Sequence, residues 1–238
     1  MEEDIPFCIL RPGYIPRAFF EVFAMKTNTK NLVLTAMLAA VAYMIVALVR
    51  IPVVLFLSYE PKDVIITIGG FLLGPMASLV ISALVAMVEM VSFSATGPIG
   101  CLMNMLSSVC FSCTAAFIYK RNRTMKGAVA GLLTGSVLTV IVMMLWNWLI
   151  SPLYMGVSRE EVVALLIPAF LPFNALKVGF NTALTLALYK PLARALRKTG
   201  LIGSRDSQSP SGKAGVYLLA GGILLTCVLL YLVLQGKI

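Results

Sequence analysis

Seven apolar runs constrain this chain more than any other feature of its sequence. They occupy about residues 32–49, 61–73, 76–94, 99–119, 128–150, 164–189 and 216–234. A helix needs about 20 mostly apolar residues to cross the hydrocarbon core of a bilayer, and most of the runs approach that length. Because 60% of the 238 residues are hydrophobic and only 12% are charged, the sequence predicts an all-α, polytopic membrane helical bundle.

The basic residues indicate how this bundle is oriented. Lys and Arg gather around residues 26–30, 120–126 and 190–213, which share one side of the membrane if successive helices alternate in direction. The other side receives only Arg50, Lys62, Arg159 and Lys237. Because cytoplasmic loops carry an excess of Lys and Arg, we expect a cytoplasmic N terminus and, if the seventh run spans, an extracellular C terminus.

Asn174 and Lys177 lie inside the sixth run, where polar side chains are expensive to insert. A lysine at the centre of a spanning helix costs about 2.5 to 3.5 kcal/mol on insertion scales, and it is tolerated where it faces a cavity, a partner or a ligand. Three positions apart, the two side chains can point into one enclosed space. Two alternatives remain open, an interhelical hydrogen bond for Asn174 and a Lys177 that snorkels to the interface.

Asn147 stands between Trp146 and Trp148 at the predicted outer end of the fifth run. Tryptophans there are typical of the aromatic belt at a membrane interface, whereas the asparagine can recognise the polar edge of a planar aromatic solute. The connection at residues 53–59 is unusually apolar, so we expect it either to dock at the interface or to fold over a site as a lid. Glu89, Glu160 and Glu161 receive no functional assignment.

The absence of certain residues and motifs from the sequence argues against several classes of function. The chain has no histidine, the side chain most used in metal binding, proton transfer and serine activation. Cys110 and Cys113 form a CxxC spacing inside an apolar run, where packing is their expected role. No phosphate-binding loop of the Gly-x-x-x-x-Gly-Lys-Ser/Thr type occurs, so any ATP hydrolysis must come from a partner. We therefore expect no catalytic residues, no metal site and no cofactor.

Five groups of residues carry a recognisable pattern between about residues 30 and 200. They are Tyr59-Glu60-Pro61-Lys62-Asp63, Ile68-Gly69-Gly70-Phe71 with Gly74-Pro75, Thr96-Gly97-Pro98-Ile99-Gly100 with Met103-Asn104, Trp146-Asn147 with Pro152-Leu153-Tyr154, and Pro172-Phe173-Asn174-Ala175-Leu176-Lys177. Their order and spacing are similar to those of the riboflavin-binding S-components, the substrate-binding subunits of energy-coupling factor (ECF) vitamin transporters.

This resemblance implies a six-helix subunit that binds riboflavin as its transported ligand and works with a transmembrane T-component and two cytoplasmic ATPase subunits. It implies substrate-binding roles for Asn147, Asn174, Lys177, Leu57, Tyr59 and Gly97. It also implies that Ala36 and Ala40 face the T-component, since small residues four apart let helices approach closely. Packing of these alanines inside the subunit is the alternative. An S-component for another vitamin is the first competing interpretation, because the pocket decides the ligand, and an intramembrane enzyme is the less favoured one.

The seventh run departs from the usual six helices of such subunits. The predicted organisation is an interfacial N-terminal segment (1–31), a six-helix core (32–200), a basic cytoplasmic linker (201–215) and an additional C-terminal transmembrane helix (216–238). Because the recognised core ends near residue 200, we expect residues 201–238 to be dispensable for ligand binding.

Overall fold

The computed structural model describes residues 29–54, 57–92, 97–198 and 213–235, and these contain seven helices and one β-hairpin. In chain order the elements are α1 (Thr29–Leu48), β1 (Ile51–Val54), β2 (Leu57–Tyr59), α2 (Lys62–Leu73), α3 (Pro75–Ser92), α4 (Gly97–Arg121), α5 (Met125–Met155), α6 and α7 (Lys213–Leu234). Helix α6 consists of three consecutive segments, Arg159–Leu165, Leu166–Phe170 and Leu171–Lys198. The predicted N-terminal segment and most of the predicted linker lie outside the described residues.

Six of the described helices, all except α2, are long and apolar enough to cross a membrane. This finding confirms the prediction of a polytopic helical bundle. The second apolar run does form a helix, but the 12 residues of α2 span only about 18 Å at 1.5 Å per residue, well short of the hydrocarbon core. Residues 62–71 of α2 are all buried, so this helix packs at the centre of the bundle instead of facing lipid.

Small residues let α4 and α5 pack closely against each other. A Cβ atom at Gly131 would lie 2.7 Å from the carbonyl oxygen of Ala115, and one at Gly135 would lie 2.6 Å from that of Phe111. Neither position has room for a larger side chain unless the helices separate. This contact belongs to a buried cluster around Phe111 and Leu132, which holds the end of the bundle opposite the hairpin.

The apolar connection at residues 53–59 is part of a hairpin and not an irregular loop. β1 and β2 pair antiparallel, with Ile51 opposite Tyr59 and Val54 opposite Leu57. The register shifts between Pro52 and Val54, so that Val53 is the additional residue of a bulge. The side chains of Val53, Leu57 and Tyr59 are buried against Phe170, Phe173 and Leu176 of α6, which accounts for their apolar character.

The segment at residues 151–163, between the fifth and sixth apolar runs, is mostly helical. α5 continues to Met155, Gly156 follows with a φ of 66°, and α6 begins at Arg159. Ser158 caps α6, because its hydroxyl accepts a hydrogen bond from the Glu161 backbone N–H (3.3 Å) and donates one to the Glu161 carboxylate (3.0 Å). Glu161 therefore has a local structural role at the helix start.

Candidate functional site

The hairpin, α3, α4, α5 and α6 enclose a cavity of about 500 Å³. This volume lies within the range of about 300 to 1,000 Å³ that is typical of sites for drug-sized ligands. Its apolar wall includes Leu57, Met90, Ile99, Met103, Met143, Met155 and Phe173. Its polar and charged groups include Arg50, Glu60, Glu89, Asn104, Asn147, Asn174 and Lys177. The cavity thus combines an apolar wall with a few polar side chains that can orient a ligand.

Four of the six residues singled out as substrate-binding candidates line this cavity. They are Leu57 from β2, Asn147 from α5, and Asn174 and Lys177 from α6. Tyr59 and Gly97 are not among the lining residues in the described part of the chain. Gly97 begins α4 with a φ of 58°, a conformation that favours glycine, and the neighbouring Ile99 and Gly100 reach the cavity wall.

Asn147 is 3% exposed, and its side-chain oxygen accepts a hydrogen bond from Ser151 Oγ at 3.1 Å. Ser151 Oγ also lies 2.9 Å from the hydroxyl of Tyr154, which lines the cavity too. Within the described part of the chain, no residue accepts a hydrogen bond from the amide nitrogen of Asn147. That nitrogen carries two N–H donors, so this corner of the cavity offers hydrogen bonds to an acceptor on a ligand.

Asn174 offers the cavity a hydrogen-bond acceptor, whereas Asn147 offers donors. The amide nitrogen of Asn174 donates to the backbone carbonyl of Phe170 at 2.8 Å, one turn earlier on the same helix. Among the described residues, its side-chain oxygen has no donor, so this oxygen is available as an acceptor. Asn147 and Asn174 together therefore complement a flat ring whose edge carries both carbonyl oxygens and an N–H.

Lys177 points inward, which decides against snorkelling to the interface. Its ammonium donates to Ser107 Oγ at 3.0 Å and lies 3.7 Å from Asp63 Oδ2. An ammonium has three N–H donors, so a further donor remains for a ligand. Lys177 is thus held at the cavity wall by one hydroxyl and one carboxylate, and its insertion cost is offset by this pairing.

Asp63 connects Lys177 to the hairpin. Its carboxylate accepts hydrogen bonds from Ser108 Oγ and, at 3.1 Å, from Asn181 Nδ2. The Asn181 side-chain oxygen in turn accepts from the Tyr59 hydroxyl at 2.9 Å. Burial, with the nearby Asp63 carboxylate as the next cause, raises the pKa of Tyr59, so this hydroxyl is protonated and can donate. Tyr59 therefore acts on the site through Asn181 and Asp63, although it does not line the cavity.

A chain of ion pairs, which the sequence did not predict, forms another part of the wall. Arg50 Nε lies 3.0 Å from Glu60, and Lys62 Nζ lies 2.9 Å from the other oxygen of Glu60. Lys62 also donates to both oxygens of Glu89, each at 2.6 Å, and Glu89 accepts from Asn104 Nδ2 at 3.0 Å. Burial raises the pKa of Glu60, but the cations Lys62, Lys177 and Arg50 together offset this effect and hold the pKa below its ordinary value. Glu60 is therefore ionised.

One signal for these groups was present in the sequence. Lys62, Asp63 and Glu89 are ionisable residues at the start of, or inside, apolar runs, and such residues mark functional sites or buried pairs in membrane proteins. The sequence did not show which of them pair, because Lys62 and Glu89 are 27 residues apart and on different helices.

The two candidate partner residues, Ala36 and Ala40, lie on the exposed face of α1. They share this face with Val33, Met37 and Met44, while Leu34, Leu38 and Ala42 point into the bundle. Both alanines are therefore exposed in the described part of the chain, and their contact with a partner stays a prediction.

The described basic residues of α4 and α6 and the cavity lie at opposite ends of the bundle. At one end, the hydroxyls of Tyr119 and Tyr189 lie 2.7 Å apart, next to Lys120 on α4 and Lys190 on α6. Lys120 also lies beside the turn between α2 and α3. At the other end, the guanidinium of Arg159 lies over the ring of Trp148, 5.5 Å from its centroid, and Trp148 directly follows Asn147, which lines the cavity.

Fold and cavity together define a membrane-embedded solute-binding protein. The chain belongs to the family of ECF transporter substrate-specific components, whose sequence model matches residues 30–189. It is 28% identical over 180 residues to the riboflavin transporter RibU of Staphylococcus aureus (strain TCH60), covering 72% of this chain and 94% of the relative. It is 27% identical over 162 residues to the riboflavin transporter FmnP of Bacillus subtilis (strain 168), covering 63% of this chain and 85% of the relative.

A solved structure agrees with this assignment. The S component of a bacterial ECF transporter superimposes with a TM-score of 0.61 at 26% identity, covering 72% of this chain and 99% of that chain. Helix α7 lies outside the residues that the family model matches. Membership of this family confirms the resemblance found in the sequence and makes the protein a multi-pass transporter subunit without an enzymatic role of its own.

Proposed function

We propose that this protein is the riboflavin-binding subunit of an ECF transporter and takes up riboflavin with a T-component and two ATPase subunits. The observation that carries the proposal is the convergence of Asn147, Asn174 and Lys177 on one cavity of about 500 Å³. Two relatives named as riboflavin transporters support the choice of ligand. The pyrimidine edge of the riboflavin ring system carries carbonyl oxygens, a ring nitrogen and an N–H, which match the donors and the acceptor of these side chains.

The charges around the cavity favour a neutral ligand over a charged vitamin. Three cationic side chains stand in or directly behind the wall, and three carboxylates partner them: Arg50, Lys62 and Lys177 with Glu60, Asp63 and Glu89. Because the interior has a low dielectric constant, a ligand with net charge needs an uncompensated partner of the opposite sign. Riboflavin has no net charge and brings hydroxyl groups that such a wall can hydrogen-bond.

The orientation follows from the positive-inside rule. With the basic end of the bundle in the cytoplasm, the N terminus is cytoplasmic, the hairpin and cavity open to the outside, and α7 ends outside. The exposed face of α1 with Ala36 and Ala40 then lies in the membrane, where the T-component can contact it.

Titration of the purified protein with riboflavin tests the proposal. Wild-type protein should bind riboflavin, while Asn174→Ala and Lys177→Ala should each weaken binding by about 1 to 3 kcal/mol, since each removes a polar contact in an apolar cavity. Lys190→Ala is the matched control, because this lysine lies on the same helix at the opposite end. If the wild-type protein does not bind riboflavin, the proposed ligand is wrong. If both cavity variants bind riboflavin with unchanged affinity, the proposed binding site is wrong.

A further inference from the structure

Helix α7 packs against both α6 and the hairpin that borders the cavity. Cys227 of α7 lies over Gly179 of α6, so closely that a Cβ atom at Gly179 would be 2.4 Å from the Cys227 sulfur. One turn further on, Leu230, Tyr231 and Leu234 pack against the buried cluster that contains Val53, Leu57 and Phe173. The C-terminal part of α7 thus meets the hairpin, whereas most of the remaining surface of α7 is exposed.

A hydrogen bond fixes this contact at the bulge of the hairpin. Val53 is the residue without a partner in the β1–β2 register, and its side chain is 4% exposed. The extra residue of a bulge leaves the ladder locally unpaired, so its backbone groups need partners from elsewhere. Gln235, directly after α7, supplies one, because its amide nitrogen lies 3.0 Å from the Val53 carbonyl oxygen and 3.4 Å from that of Pro52.

The same hairpin reaches the cavity in two ways. Leu57 and Ser58 of β2 line it directly, and β2 is paired with the strand that Gln235 contacts. Tyr59, at the end of β2, is hydrogen-bonded to Asn181, which holds Asp63 beside Lys177. Displacement of the hairpin therefore opens the cavity wall and also disturbs the support of Lys177.

We propose that Gln235 is a positioning residue of the binding site: by holding the bulge of the hairpin, it slows displacement of the hairpin and so slows both entry and exit of the ligand. For the identity of the ligand, the inference rests on the proposed binding of riboflavin. The mechanical part does not depend on that identity, because the contact joins two parts of the protein itself. α7 is then a functional extension of the family core and not only a membrane anchor.

The test uses the full-length protein with Gln235→Glu and Gln235→Lys. Glutamate has the shape of glutamine, but as a carboxylate it cannot donate to the Val53 carbonyl, whereas lysine keeps a donor. We expect the association and dissociation rate constants for riboflavin to rise together by about 3- to 10-fold in Gln235→Glu, which corresponds to the loss of one hydrogen bond. Gln235→Lys should restore rates near those of the wild type, and Leu225→Ala, an exposed position on α7, should leave them unchanged.

Hydrogen exchange of the hairpin amides gives a second readout that needs no ligand. Exchange at residues 51–54 and 57–59 should be faster in Gln235→Glu than in the wild type, because the hairpin opens more often. Unchanged exchange, or equal acceleration in the lysine variant and the Leu225→Ala control, overturns the inference. If the wild type does not bind riboflavin while the exchange differs as expected, the proposed ligand is wrong and the role of Gln235 stands.

Discussion

The buried pair of Lys62 and Glu89 permits a sharp test of what holds the cavity wall together. The side chain of Lys62 is 2% exposed and that of Glu89 is 4% exposed, and both carboxylate oxygens of Glu89 accept from the lysine at 2.6 Å. The two residues are not equally dependent on each other. Among the described residues, Glu89 without Lys62 retains only the amide of Asn104, but Lys62 without Glu89 retains the carboxylate of Glu60.

This asymmetry sets the expected magnitudes. Removing one partner of a buried ion pair typically costs about 3 to 5 kcal/mol, because the other charge is left uncompensated. Lys62→Met should therefore lower the free energy of unfolding by about that amount. Glu89→Gln should cost less, about 1 to 2 kcal/mol, because the amide still accepts one hydrogen bond and Lys62 keeps its ion pair with Glu60.

The assay is denaturant unfolding of the purified protein in detergent, with the single variant Glu89→Leu and the double variant Lys62→Met/Glu89→Leu to complete the cycle. Replacing both charges by apolar side chains removes the stranded carboxylate, so the double variant should be more stable than Lys62→Met alone by about 1 to 3 kcal/mol. Equal effects of Lys62→Met and Glu89→Gln, or a double variant as unstable as the sum of its parts, would refute this reasoning.

The remaining predictions concern packing and the partner surface. Gly135→Ala should destabilise the protein by about 1 to 3 kcal/mol, since the new methyl group meets the Phe111 carbonyl at 2.6 Å. Gly222→Ala, whose Cβ would have nothing within 4 Å, should be neutral or up to about 1 kcal/mol stabilising in the same unfolding assay. Ala36→Trp with Ala40→Trp should leave riboflavin binding intact but abolish ATP-dependent uptake with co-expressed partners, and normal uptake would contradict the proposed surface.

Much of the helical framework was predictable because a membrane-spanning helix requires a long run of apolar residues, which is visible in the sequence. All seven apolar runs form helices, and they begin and end within a few residues of the predicted bounds in most cases. The inward position of Lys177 was also predictable, since an internal lysine needs a polar partner or a cavity. The free energy of inserting a residue into the membrane depends mainly on that residue and its neighbours in the chain. A single sequence is therefore enough to predict it.

Features that depend on distant pairing were not predictable in the same way. The hairpin at Ile51–Tyr59 is stabilised by Phe170 and Phe173 more than 100 residues later, and its strands have only four and three residues. The contact between α7 and the hairpin could not be predicted for the same reason, because Gln235 contacts a strand 182 residues earlier in the chain. The expectation that residues 201–238 are dispensable for binding stays a prediction.

Two π-helical turns explain why periodicity alone could not place the polar groups of the cavity. One occupies Val109–Cys113 in α4, and the other occupies Leu166–Phe170 in α6. Such a turn inserts one residue, which rotates all following side chains by about 100° relative to a regular helix. Because Asn174 and Lys177 follow the second turn, their direction relative to Arg159 depends on it.

The second π-helical turn also orients the side chain of Asn174, whose oxygen is the hydrogen-bond acceptor in the cavity. A π turn disturbs the regular ladder of backbone hydrogen bonds, and the carbonyl of Phe170, at the end of this turn, is bonded by the Asn174 amide nitrogen at 2.8 Å. That bond fixes the side chain with its nitrogen toward the helix and its oxygen available to the cavity. Asn174→Ala would therefore remove two hydrogen bonds, one to the ligand and one to the Phe170 carbonyl of the π-helical turn. Its effect on the binding free energy contains the lost ligand contact and also any shift of the turn that positions the neighbouring side chains.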